Sequence, residues 1–216
     1  MPTPKAGYYL DGVRIPATTS ILSRFKDAGG IIHWAWALGM EGKDYREVKQ
    51  EAADAGTCAH DMAECYVTGR AFDPSPYSVE TLARAENGFT AFRNWAEQSR
   101  LEIDPTRTEL SLISKVHAFG GTIDAPLRFK GKRRLGDYKT SNAVYVEYLM
   151  QMAAYGILWD ETFPEDPITG YDLIRFDKTY ADFAHFSFNE LDDAREEFLH
   201  LRKAYELDQK LKKRLR

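Results

Sequence analysis

The stretch Gly120-Gly121-Thr122-Ile123-Asp124, followed after a basic turn by Leu135-Gly136-Asp137-Tyr138-Lys139-Thr140, decides how this chain is read. It reads as one β-hairpin carrying two carboxylates and a lysine. Side chains alternate along a strand, so Asp137 and Lys139 share a face and Tyr138 points away. A buried Asp–Lys pair beside a second Asp is expensive to build for stability alone. It becomes useful when a divalent cation sits between the carboxylates and the ammonium faces an incoming anion. That arrangement suits phosphodiester hydrolysis. The double glycine ahead of Asp124 lets another group approach the backbone closely, or marks a bulge.

Taken alone, a D-x-K triplet is common. Its force here comes from Asp124 on the partner strand, because pairing across the Lys130-Gly131 turn brings the two carboxylates within reach of one hard cation. Mg²⁺ is satisfied by one or two carboxylates plus waters and substrate phosphate. His60 is the candidate third ligand, and an imidazole favours Mn²⁺ over an all-oxygen Mg²⁺ site. Glu64 lies one helical turn beyond His60 and could orient its ring. Gln151 and Tyr155, also four apart, lie on the helix after Lys139, where they could hold phosphate, hold the lysine or line a DNA groove. Each of these residues also has a bland reading: a surface His–Glu pair, or a helix packed on a sheet with polar edges.

Composition limits the options. The chain has 216 residues, 44% of them apolar and 29% charged, as in ordinary globular proteins. No apolar run approaches the ~20 residues of a membrane helix. Met1-Pro2-Thr3-Pro4-Lys5 lacks the apolar region of a secretory signal, so a bacterial or phage-infected cytoplasm is expected. Cys58 and Cys65 sit on one helix about 10 Å apart, too far for a disulfide, and two thiols cannot hold an iron–sulfur cluster. The net charge of −4 does not advertise nucleic-acid binding. Its distribution matters more. Lys130, Lys132, Arg133 and Arg134 crowd the turn beside the carboxylates, and Lys210, Lys212, Lys213, Arg214 and Arg216 crowd the C-terminus, so both groups are candidate phosphate contacts.

Along the chain, residues 8–15 read as a hairpin around Asp11-Gly12. Thr18-Thr19-Ser20 offers a helix cap, Gly29-Gly30 closes that helix, and a second carries Trp34 and Trp36 to Gly39. The tryptophans are expected in the core. Residues 41–54 read as one exposed helix and 58–67 as another. Leu82, Ala85, Phe89, Phe92 and Trp95 mark an amphipathic helix over 79–99. Strands follow at 109–116, 121–129 and 134–140, then a helix over 144–159, strands at 171–176 and 183–188, and a last helix capped by Asn189. The order predicts an α/β domain spanning 1–216, with a helical N-terminal lobe over 1–100 and a core over 101–216.

Four separated motifs occur in an order that resembles the RecB-like nucleases of the PD-(D/E)XK superfamily, in particular compact phage-type members: Gly56-Thr57-x-x-His60, Gly121-Thr122-Ile123-Asp124, Asp137-Tyr138-Lys139-Thr140 and Gln151-x-x-x-Tyr155. The entry Pro16-Ala17-Thr18-Thr19-Ser20 is similar to theirs as well. The resemblance spans roughly residues 8–160. It implies a central mixed β-sheet flanked by helices, a restriction-endonuclease-like core, with His60, Asp124, Asp137 and the Tyr138 backbone carbonyl as ligands of one or two Mg²⁺ or Mn²⁺ ions. Ile123 replaces the proline of the superfamily's name. The cysteines of its iron–sulfur subclass are absent, as is any helicase motif, so an unwinding or recombination partner would be a separate chain.

The expectation is a metal-dependent deoxyribonuclease, an exonuclease rather than a site-specific endonuclease, with Asp124, Asp137 and Lys139 as catalytic residues. It would act in recombination, repair or degradation of DNA. Two rivals are a catalytically silent DNA-binding or assembly module and a hydrolase of small phosphorylated substrates. Nothing in the sequence decides the oligomeric state.

Overall fold

Strand β7 (Lys132–Lys139) is the axis of the architecture, because its two faces bury against two different helical layers. In the computed structural model, which describes residues 7–141, 143–177 and 182–215, five strands align in the order β3 (Glu102–Ile103), β6 (Ala125–Phe129), β7, β8 (Tyr171–Phe176) and β9 (Phe183–Phe188). Only β7 and β8 are parallel, and helix α5 (Val146–Thr162) makes the crossover between them. The sheet is therefore mixed, as expected. Every residue of β8 is buried, the mark of a strand covered on both faces.

Alternation along the strands divides the core. Leu135, Leu173 and Ile123 meet Met152, Leu158 and Trp159 of α5, Phe198 of α6 (Asp192–Arg214) and Ile21 of α1 (Thr18–Phe25). On the opposite face Leu127, Tyr138, Ile174 and Phe176 meet Cys58, Ala59 and Ala63 of α3 (Tyr45–Thr68) and Phe92 of α4 (Val79–Gln98). The N-terminal helices α3 and α4 thus form a full layer against the sheet. Burial, followed by the Asp61 carboxylate, pushes the Cys58 thiol up to about 11, so it stays neutral and serves packing.

Two hairpins flank this sheet. β1 (Tyr8–Leu10) and β2 (Val13–Ile15) join through Asp11 and Gly12, both at positive φ, which matches the right-handed twist of the strands. β4 (Leu110–Ser114) pairs with β5 (Phe119–Ile123). The predicted strand over 121–129 is in fact two strands, β5 and β6, which belong to different sheets and meet at Asp124.

Other expectations are corrected. Residues 45–54 and 58–67 belong to one continuous helix, α3, which begins after a turn at 41–44 and ends where Gly69 takes φ +68. Gly29-Gly30 opens α2 (Gly29–Met40) rather than closing α1. Thr18 does not cap α1; its hydroxyl donates to the Gly120 carbonyl at 3.0 Å. The N-cap of α6 is Leu191, and the first helical N–H, of Asp192, donates to Glu190 Oε2 at 2.9 Å, so Asn189 does not play that part. Trp34 and Trp36 are not core residues: α2 has no buried residue, and these side chains are 37% and 61% exposed.

Candidate metal centre

Asp124 occupies the point where the chain leaves one sheet for the other, and three backbone relationships build the site around it. Its Oδ2 accepts the Tyr138 backbone N–H at 2.9 Å, which ties it to β7. The backbone N–H of Glu109, just ahead of β4, donates to the Asp124 carbonyl at 3.2 Å. Helix α3 brings His60 in from the other side, its ring edge against Tyr138 at 6.0 Å. Donor atoms of His60, Glu109 and Asp124 all lie within 4.8 Å of one another, a group able to hold a metal ion.

Glu109 was not singled out by the sequence, where it marks only the head of a strand. It stands at φ +55, sparsely populated ground for a residue with a Cβ. Burial, with the Asp124 charge added to it, pushes its pKa up to about 8. Two carboxylates this close in a poorly solvated place suit a divalent cation. The signal available in the sequence was a carboxylate heading the strand that pairs with the Asp124-bearing segment.

Asp137 is 1% exposed and does not join that group of three. Its Oδ2 lies 2.5 Å from the Lys139 ammonium, so the two side chains share a face as alternation requires. Burial pushes Asp137 up to about 7, against the pull of Lys139 and with Asp124 adding to the rise. Burial also works against the lysine's charge, but Asp137 and Asp124 outweigh it and hold Lys139 above its ordinary value. The two shifts pull opposite ways on one ion pair. The lysine's direction governs, because an ammonium this close to a carboxylate keeps its proton. Lys139 also stands 5.0 Å over the Tyr148 ring.

A cleft of about 490 Å³ opens over these groups, lined among others by His60, Asp124, Lys139, Gln151 and Tyr155. Gln151 donates to the Tyr155 hydroxyl at 2.7 Å, so the predicted i,i+4 pair faces the cleft as a unit. The double glycine makes room for aromatic rings rather than for a ligand. A Cβ on Gly120 would collide with the Tyr8 ring, and one on Gly121 would stand 2.6 Å from Tyr155 Cε1. Glu64 lines an adjoining cleft with His60 and Glu109, and its described ion pair is with Arg70 at 3.8 Å.

The basic turn stands elsewhere. Lys130 and Gly131, at φ +50 and +76, form the two-residue loop joining β6 to β7. From Lys132 to Lys139 the strand advances roughly 20 Å. Arg133 and Arg134 are not phosphate guides either. Arg133 is 3% exposed, 2.8 Å from Asp166 and stacked over Trp159 at 4.7 Å. Arg134 is 7% exposed, 2.6 Å from Asp172, and donates to the carbonyls of Tyr171 and Phe188. Alternation sends the adjacent Arg133 and Arg134 to opposite faces of a strand covered on both sides, where Arg133 meets Asp166 and Arg134 meets the buried Asp172.

No known protein family matches the chain, and no curated protein matches it significantly. Among solved structures, it overlays a candidate exonuclease from Eubacterium rectale with a TM-score of 0.48 and 10% identity, over 69% of this chain and 64% of that one. The protein SSO0001 overlays with a TM-score of 0.37 and 17% identity, over 59% of this chain and 60% of that one. This chain spans less than two thirds of the length of either. Among the described residues no helix is long and apolar enough to cross a membrane.

Proposed function

We propose that this chain is a metal-dependent nuclease that hydrolyses phosphodiester bonds in DNA, acting from strand ends. The observation that carries the reading is the mutual approach of His60, Glu109 and Asp124 within 4.8 Å at a cleft that also holds Lys139. A nitrogen and two carboxylates form a donor set that suits Mn²⁺ or Mg²⁺, with the Tyr138 carbonyl as a further ligand. Once bound, such an ion polarises the scissile phosphate and lowers the pKa of an attacking water.

The chain's own residues supply the rest. The Lys139 ammonium faces the developing negative charge and orients the water. Asp137 holds that ammonium in place from a fully buried position, a positioning part rather than a ligand in the group of three. Asp124 is kept rigid by the Tyr138 N–H, which limits the reorganisation needed during reaction. Gln151, fixed on Tyr155, presents a polar edge to substrate from the wall of the cleft.

The test is digestion of end-labelled single- and double-stranded DNA with Mg²⁺, Mn²⁺ or EDTA, beside the Lys139→Ala protein. Metal-dependent cutting by the parent, with shortening from the ends and loss in the variant, supports the reading. DNA binding without cutting under any metal would favour the silent binding module. Hydrolysis of small phosphate esters alone would favour the small-substrate hydrolase.

A further inference from the structure

Removing Arg133 and Arg134 from the substrate surface leaves open which cations near the metal centre meet a phosphate backbone. A second cleft, of about 460 Å³, lies directly beyond Tyr8 and Ala17, both of which also line the cleft over Asp124. Its walls come from distant parts of the chain. Arg14 belongs to β2, Ser20 to α1, and Gln209 and Lys213 to the end of α6. The two-pronged bond of Arg24 to Asp208, at 3.0 and 2.8 Å, holds α6 against α1 and sets Lys213 on this wall.

The charges are selective. Lys210 is paired with Glu206, and Lys212 with Asp208. Arg14 and Lys213 have no acidic partner among the described residues, and both are exposed. Arg14 folds over Gly7, where a Cβ would stand 3.2 Å from its Nε. Two unpaired cations, a hydroxyl and an amide in one concave site make a set of donors for a phosphate. Tyr8 is the partition between the two clefts, and its hydroxyl is held by Thr122 Oγ1 at 2.8 Å.

We infer that this second cleft is a phosphate-binding subsite, which holds the nucleic-acid strand as it continues past the metal centre, with Arg14 and Lys213 as its cations. The inference rests on the nuclease reading above. It assigns Lys213 a substrate contact that its neighbours in the basic C-terminal run do not share. Contacts of this kind grip the backbone and carry no base sequence.

The experiment compares the parent with the Arg14→Ala/Lys213→Ala double variant on two substrates in Mn²⁺. One is a twenty-residue oligothymidylate, long enough to cross Tyr8. The other is bis(p-nitrophenyl) phosphate, which occupies the metal cleft alone. On the oligonucleotide KM should rise about tenfold with kcat held, and the slope of log(kcat/KM) against log salt should shrink by about 1.4, near 0.7 for each lost single-strand phosphate contact. Hydrolysis of the small diester should not change. Lys213→Glu should raise KM at least as much as the double variant's share from that position, and Lys130→Ala/Lys132→Ala should match the parent. Equal KM for parent and double variant on the oligonucleotide would overturn the subsite and leave the nuclease reading standing. Equal losses on both substrates would also overturn it, since the residues would then act on the centre itself. A parent that cuts neither substrate would remove the nuclease reading and this inference with it.

Discussion

The carboxylate of Asp124 accepts the backbone N–H of Tyr138 at 2.9 Å, so the residue joining the two sheets is bonded to the strand that carries Asp137 and Lys139. One side chain thus serves both as candidate ligand and as structural clamp. Asp124→Asn keeps an acceptor for that N–H, whereas Asp124→Ala leaves a buried donor unmet at a cost of about 1–3 kcal/mol. The Asn variant should melt close to the parent yet lose at least about a hundredfold in metal-dependent cleavage. The Ala variant should lose cleavage and melt lower. Parent-like cutting by Asp124→Asn protein would take Asp124 out of the metal site.

Lys139 and Asp137 should separate chemistry from metal capture. Lys139→Ala should lower cleavage by about 10²–10³ while Mn²⁺ binding, followed by electron paramagnetic resonance, persists. Asp137→Ala should abolish cleavage too, because the ammonium then loses the partner at 2.5 Å that holds it. If Asp137→Ala protein digests DNA at the parent rate, the positioning argument fails.

The stability of the metal-free protein should fall as pH rises through neutrality. Glu109 is raised to about 8, above the carboxylate value of an unfolded chain. Between those limits the folded state binds more protons than the unfolded state, so the stability present at pH 5 is lost on the way to pH 8. Allowing for partial solvation, the loss is on the order of 1–2 kcal/mol, or a few degrees in melting temperature. Mn²⁺ should restore the melting temperature at pH 8, and Glu109→Gln should flatten the profile. A profile unchanged in that variant would mean that Glu109 ionises in the folded protein as it does in water.

Gly121→Ala tests the packing around the double glycine. The added methyl would meet Tyr155 Cε1 at 2.6 Å and Leu158 Cδ1 at 2.9 Å. Overpacking of this kind costs about 1–3 kcal/mol. The melting temperature should drop by several degrees, and the displaced Tyr155 should loosen Gln151 and lower activity in the surviving folded fraction. A parent-like melt would show that the helix α5 side of the cleft can retreat freely.

Arg134→Ala should destabilise by about 3 kcal/mol, because it leaves the buried Asp172 carboxylate with His185, at 2.8 Å, as its remaining described partner. Lys132→Ala should be nearly neutral. Chemical denaturation of both variants distinguishes a buried structural arginine from a surface one. Equal stabilities would return Arg134 to the surface role suggested by its neighbours in sequence.

Much of this was legible from local pattern. Alternation in 135–139 placed Asp137 beside Lys139 and sent Tyr138 into the core, and the Asp11-Gly12 and Lys130-Gly131 pairs marked tight turns that occur where expected. Amphipathic spacing found α4 almost to the residue. Other features failed for a common reason. The apolar composition of α2 reads as core, yet none of its residues is buried. The basic run at 130–134 reads as one patch, yet a strand turns alternate residues to opposite sides, and only the sheet's neighbours decide that Asp166 and Asp172 wait there.

The sequence by itself determined the element types, the mixed α/β order, and the local pairing of Asp137 with Lys139, because these follow from backbone periods of 2 and 3.6 acting over a few residues. Only the tertiary structure decided that Glu109 stands with His60 and Asp124, that Arg133 and Arg134 are buried, and that Arg14 meets Lys213 across a cleft. Those meetings join residues 15 to 199 positions apart, and no periodicity reaches that far. They are set by which hydrophobic faces bury against one another, and the site is assembled where those faces end.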